Sequence, residues 1–83
     1  MTVRVLVLYF AAAREAAGRS SETLELEDGA TVATLLDVVG RAHPDVARLA
    51  PALRTAVGER FEPPARVLEP GDTVALLPPA SGG

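Results

Sequence analysis

Few side chains in this sequence are equipped for covalent chemistry. It has no cysteine, and all eight basic residues are arginines, so neither a thiolate nor a lysine amine is available as a nucleophile. The single histidine, His43, precedes Pro44, where the pre-proline restriction ends a helix, and it reads as a surface or capping residue. Glu22, Glu25, Glu27 and Asp28 gather along one short segment and read as a solvated edge or an electrostatic contact rather than a metal site. Asp72 follows Pro70-Gly71 and serves that turn. What remains is the final stretch, Leu76-Leu77-Pro78-Pro79-Ala80-Ser81-Gly82-Gly83. Apolar strand residues run into two prolines and then a diglycine. A frayed terminus is the bland reading. The sharper one makes the Gly83 carboxylate the working group: glycine lacks a Cβ, so a diglycine threads a narrow channel, and Pro78-Pro79 hold the preceding segment extended.

The elements that must carry this terminus fit a single domain. The chain has 83 residues, 48% of them hydrophobic, which is enough for one helix layer on one small sheet without disulfides or metals. No apolar run approaches the roughly 20 residues of a membrane span. Val5 to Ala13 is apolar like a signal core, but with only Arg4 before it and Arg14-Glu15 after it, it reads as a strand entering a helix in a cytoplasmic protein. A net charge of -3 with scattered arginines excludes the clustered basic face of a nucleic-acid binder. The expected division is a domain over residues 1–79 and a flexible tail over 80–83.

Val3 to Phe10, rich in β-branched and aromatic residues, predicts a buried strand, and Ala11 to Ala17 a short helix capped by Gly18. Ser21 to Glu27 alternates, with Leu24 and Leu26 on one side, and predicts a strand hairpin-paired with the first. After the Asp28-Gly29 turn, Thr31 is the N-cap of the main helix, whose buried stripe is Val32, Leu35, Leu36 and Val39. Helical spacing recurs weakly from Asp45 to Leu53, and Pro51 limits it to one short turn. Arg54 to Val57 is a third strand, Gly58-Glu59-Arg60 its turn, and Phe61 opens a minor strand that Pro63-Pro64 confine to an edge. A type II turn at Glu69-Pro70-Gly71-Asp72 leads into the last strand, Thr73 to Leu77.

This order is an α+β layout, a small mixed sheet with one main helix packed on one face. The first and last strands are the most apolar, which makes them the central pair, parallel to each other. If Val3, Val5, Val7 and Tyr9 face the helix, then Leu6, Leu8, Phe10, Ala75 and Leu77 face away with no cover from the chain, the signature of a partner surface. The opposite register makes them ordinary core.

Three stretches, "VLVLYFAAAREAAG", "GATVATLLDVV" and "LEPGDTVALLPPASGG", resemble the ubiquitin-like β-grasp family. More narrowly they resemble the small sulfur-carrier subunits of molybdopterin synthase, also called molybdopterin-converting factor subunit 1. The terminal "GDTVALLPPASGG" is the most specific match, and Gly58 departs from the asparagine common at that turn. The resemblance implies a protein that is not an enzyme on its own and binds no cofactor or metal. A partner adenylating enzyme uses ATP and magnesium to activate Gly83, and a sulfurtransferase supplies sulfur to make a thiocarboxylate. The large catalytic subunit then passes the sulfur to cyclic pyranopterin monophosphate. The implied partner contacts are Phe10, Arg14, Phe61 and Leu77, with Pro78, Pro79, Ala80 and Ser81 leading to Gly82 and Gly83. Phe61 is also conspicuous alone, as a large aromatic in the polar setting "GERFEPP". The alternatives are a sulfur carrier for thiazole synthesis or tRNA thiolation, a ubiquitin-like protein modifier, and a passive interaction domain.

Overall fold

Five strands form one mixed sheet: β1 (Thr2–Tyr9), β2 (Ser21–Glu27), β3 (Arg54–Val57), β4 (Arg60–Phe61) and β5 (Thr73–Leu77). Their order across the sheet is β2-β1-β5-β3-β4. These elements belong to a computed structural model of the protein, which describes residues 1–78. β1 and β5 are parallel neighbours, with Leu6 opposite Thr73 and Tyr9 opposite Leu76, while β2 and β3 flank them antiparallel. The expected central pair is therefore present.

The register sorts side chains as period-two alternation requires. Val3, Val5, Val7 and Tyr9 of β1 and Val74 and Leu76 of β5 are buried, together with Val32, Leu35 and Val39 of α2 (Val32–Ala42). α1 (Ala11–Ala17) adds Ala13 to this core and ends at Gly18, whose left-handed backbone lets its N–H reach the Arg14 carbonyl.

All four leading N–H groups of α2 are satisfied. Thr31 Oγ1 accepts from the Thr34 N–H, and the Thr31 N–H donates in return to Thr34 Oγ1. The other two donors, the N–H groups of Val32 and Ala33, reach the carbonyls of Arg66 and Pro64, 3.0 and 2.9 Å away. The proline-rich stretch before β5 thus caps the main helix, which no local pattern announced.

The region after α2 is more helical than expected. His43 ends α2, but Pro44 starts α3 (Pro44–Leu49) at once, followed by a 3-10 turn over Ala50–Ala52 that contains Pro51. A proline at the first helical position loses no hydrogen bond, so Pro44 punctuates one helix and opens the next. Gly40 of α2 marks the crossing, since a Cβ there would stand 3.1 Å from the Ala47 Cβ.

The β3–β4 connection carries a local misfit. Gly58 (φ 56) and Glu59 (φ 71) are both left-handed in a two-residue turn between the paired residues Val57 and Arg60. Such a turn favours glycine at the second position. Glu59→Gly is expected to stabilise the protein by about 0.5–1 kcal/mol, the relief of the left-handed side chain exceeding the added entropy of the unfolded chain. Denaturant titration of the two proteins checks the sign.

Candidate partner-binding face and C-terminal exit

The sheet face opposite the helices is apolar and uncovered. One row crosses all five strands in register: Ser21, Leu8, Ala75, Ala56 and Phe61. Leu77 lies one step further along β5 and is paired with Arg54. Leu8, Phe10, Ala56, Phe61, Ala75 and Leu77 line a shallow groove of about 530 Å³. Of the two registers open to the sequence, the structure has the one that turns these residues away from the helices.

Three of the expected contact residues meet in this groove. Phe10 is 43% exposed and Phe61 59%, while Leu77 is half-buried. Phe10 stays at the rim because the chain turns from β1 into α1 at Ala11, a non-glycine residue at φ 49, a conformation that costs about 1 kcal/mol. Arg14 does not join the groove. It is exposed on α1 over a separate depression shared with Arg19 and Ser20. Pro78 is half-buried where the chain leaves β5. Pro79, Ala80, Ser81, Gly82 and Gly83 lie outside the described residues.

Sequence reasoning missed Arg54, whose guanidinium carbon sits 3.8 Å from the centroid of the Phe61 ring. Phe61 lines both the apolar groove and a second one of about 580 Å³, which Arg54, Pro51, Pro63 and Pro64 help to line. The available signal was alternation in Arg54-Thr55-Ala56-Val57, which sends Arg54 and Ala56 to the face of Leu8 and Ala75.

The structure decides between the alternative readings of two polar residues. His43 takes the capping one, ending α2 with its N–H on the Val39 carbonyl, and not the surface one: its side chain is 18% exposed, lies edge-on to Tyr9, and places Nε2 2.7 Å from Glu22 Oε1. Glu22 is an electrostatic contact rather than part of a solvated edge, for the Tyr9 hydroxyl donates to the same oxygen at 2.6 Å and Arg19 stands 3.5 Å from the other. Burial opposes the charge on Glu22, but the hydrogen bonds from Tyr9 and His43 and the charge of Arg19 outweigh it and hold the carboxyl below its ordinary range. An ionised carboxylate only accepts, so both neighbours donate to it, which puts the His43 proton on Nε2. Burial, then the Glu22 bond and charge, push the Tyr9 phenol above its ordinary value. This cluster pins β2 and the α2–α3 corner to β1. Asp72 does serve its turn, accepting from the Glu69 N–H, and Arg66 bridges it to Glu62.

A carboxyl with a depressed folded value contributes stability that is complete above its unfolded value and is lost as pH falls through the folded one. The Glu22 contribution should therefore fade below about pH 4. Glu22→Gln is expected to lower stability at neutral pH by about 1–2 kcal/mol and to flatten the acid limb of a stability profile, leaving the part that Asp72 contributes. Urea midpoints from pH 3 to 7 check both. Among the described residues there is no grouping of three or more potential metal ligands, and no helix is long and apolar enough to cross a membrane.

The chain matches the ThiS family over residues 7–83, through the groove strands and the diglycine. The chain belongs to the ThiS family. Its curated relatives include the molybdopterin synthase sulfur carrier subunits of Chlamydomonas reinhardtii, 39% identical over 98% of this chain and 100% of that protein, and of Mycobacterium tuberculosis, 34% identical over 98% and 99%. Among solved structures, this ThiS member is similar to a putative molybdopterin converting factor, subunit 1, from Pyrococcus furiosus, with a TM-score of 0.84, 29% identity and coverage of 94% of this chain and 99% of that one. The small archaeal modifier protein 1 of Haloferax volcanii superposes with a TM-score of 0.85 at 24% identity, covering 94% and 99%. A Caldiarchaeum subterraneum ubiquitin does so at 0.68 and 18%, covering 100% and 100%. At those identities the last two speak to fold alone. The fold is a ubiquitin-like β-grasp, as expected.

Proposed function

We propose that this ThiS-family chain is the sulfur carrier subunit of a molybdopterin synthase and that the Gly83 carboxylate is its working group. The observation that carries this reading is the family match running to Gly83, together with carrier subunits aligned over essentially their full length. The uncovered apolar face beside the end of β5 supports it, as the surface on which a large catalytic subunit would seat while the segment after Leu77 enters its site.

The chemistry divides between the chain and its partners. A carboxylate is a poor electrophile until one oxygen becomes a good leaving group. An adenylating enzyme supplies this by joining Gly83 to the α-phosphate of ATP in the presence of magnesium, with release of pyrophosphate. A sulfide equivalent from a sulfurtransferase displaces AMP and leaves a thiocarboxylate, a soft nucleophile made without cysteine. In the large subunit that sulfur passes to cyclic pyranopterin monophosphate, and the carboxylate is restored. A dithiolene needs two sulfurs, so two charged carriers serve each pterin. The chain contributes recognition and delivery: Pro78-Pro79 limit the entropy lost on insertion, and residues 80–83 act as the tether. It holds no cofactor of its own and works in the cytoplasm.

The test is to incubate the chain with its adenylating enzyme, ATP, magnesium and a sulfur source, follow intact mass, then add the large subunit and precursor pterin. An oxygen-to-sulfur mass gain that is lost on adding pterin is expected. Thiocarboxylate consumed only by a thiazole or tRNA acceptor assigns a different carrier role, and adducts on lysines of other proteins without thiocarboxylate overturn the reading in favour of a modifier.

A further inference from the structure

We propose that Arg54, seated over the Phe61 ring beside the end of β5, anchors a carboxylate of the protein that receives the C-terminal segment. The inference deepens the proposed function and rests on it. The register sets Arg54 opposite Leu77, the last residue of β5, so its charge stands where the chain leaves the sheet. Five of the eight arginines are in ion pairs: Arg4, Arg19, Arg41, Arg48 and Arg66. Arg54 makes neither an ion pair nor a side-chain hydrogen bond among the described residues.

Stacking gives this arginine a particular chemistry. With the guanidinium carbon 3.8 Å from the Phe61 centroid, the exposed Arg54 keeps its N–H donors without a hydrogen-bond partner among the described residues. The rotamer freedom that an arginine ordinarily loses on binding is already restricted, so a donor fork matched to a carboxylate stands ready. Arginine and aromatic residues are the types that dominate interface energetics, and Phe61 is exposed as such a residue must be.

Charge layout selects the partner. Glu22, Glu25, Glu27 and Asp28 lie on β2 and the turn after it, at the opposite edge of the sheet. Glu62, close to Arg54, is committed to Arg66 at 3.1 Å, and Glu59 lines the groove only from the turn at the end of β3 opposite Arg54. The exit side thus presents apolar groove and cation together. Its complement is an apolar protein surface bearing an acidic side chain. A polyanion fits poorly, because the chain carries a net charge of -3.

The experiment is titration calorimetry of the full chain with its molybdopterin synthase large subunit at low and high salt. Arg54→Gln is expected to raise Kd about tenfold or more and to flatten its salt dependence, Arg54→Glu to raise it further, and Phe61→Leu to weaken binding in part by removing the stack. Both arginine variants change an exposed side chain, and unchanged thermal unfolding confirms their fold. Wild-type binding that both arginine variants match within twofold, with the same salt dependence, overturns this assignment alone. Absence of wild-type binding overturns the proposed function with it.

Discussion

A chain shortened by Gly83 alone is expected to transfer no measurable sulfur while unfolding within about 1 °C of the intact protein. Both halves follow from how far residue 83 lies along the chain from the described core. The buried set ends at Leu76, and the sheet hydrogen-bonding described for β5 ends with Leu77. Gly83 lies seven positions along the chain beyond Leu76, and none of the described core depends on it, so the stability cost is expected to be close to zero. Under the proposed function the reaction loses much more, since shortening moves the terminal carboxylate back by one residue, about 3.5 Å. Displacements of about 1 Å already cost on the order of a hundredfold where geometry sets the rate. Single-turnover sulfur transfer, with calorimetric unfolding of the same sample, measures the pair. A fall in stability of several degrees would mean that the terminus is structural.

The adjacent residues Leu76 and Leu77 are expected to behave oppositely on truncation to alanine. Leu76 is fully buried among the helix-facing residues, and replacing such a side chain costs about 2–5 kcal/mol because the lost transfer energy is joined by an unfilled cavity. For a domain of this size that lowers Tm on the order of 15 °C. Leu77 points the other way, half-buried in the apolar groove and paired with Arg54. Its truncation is expected to cost under about 1 kcal/mol in stability and to weaken binding of the large subunit by about tenfold or more. Thermal unfolding and binding titrations on both variants give a crossed result, which a sheet buried on both faces would not.

The crossed result also indicates what was legible in the sequence. Alternation in β1 and β5 fixes faces locally, so the inward and outward sets could be written down as two alternatives, and only pairing with the helices chose between them. Thr31, Gly18 and the Pro70-Gly71 turn carry their signals within four residues and emerged where expected. Groups joined across long separations were opaque. Glu22 and His43 are 21 residues apart, and nothing in "SSETLELED" distinguishes Glu22, half-buried against Tyr9, from the exposed Glu25. Likewise the capping of α2 by Pro64 and Arg66, and the seating of Arg54 on Phe61, exist only once distant segments are brought together. Pro44 misled because a proline that ends one helix is also a favourable first residue of another.

The parallel pairing of β1 with β5 has a mechanical consequence. Load applied to the segment after Leu77 runs along the axis of β5, while β1 holds it on one side and β3 on the other. The inter-strand bonds are then strained together, in shear, rather than peeled one at a time from a free edge. A partner can tug on the terminus to seat or release it without unzipping the sheet, because the handle is fastened to the middle of the molecule.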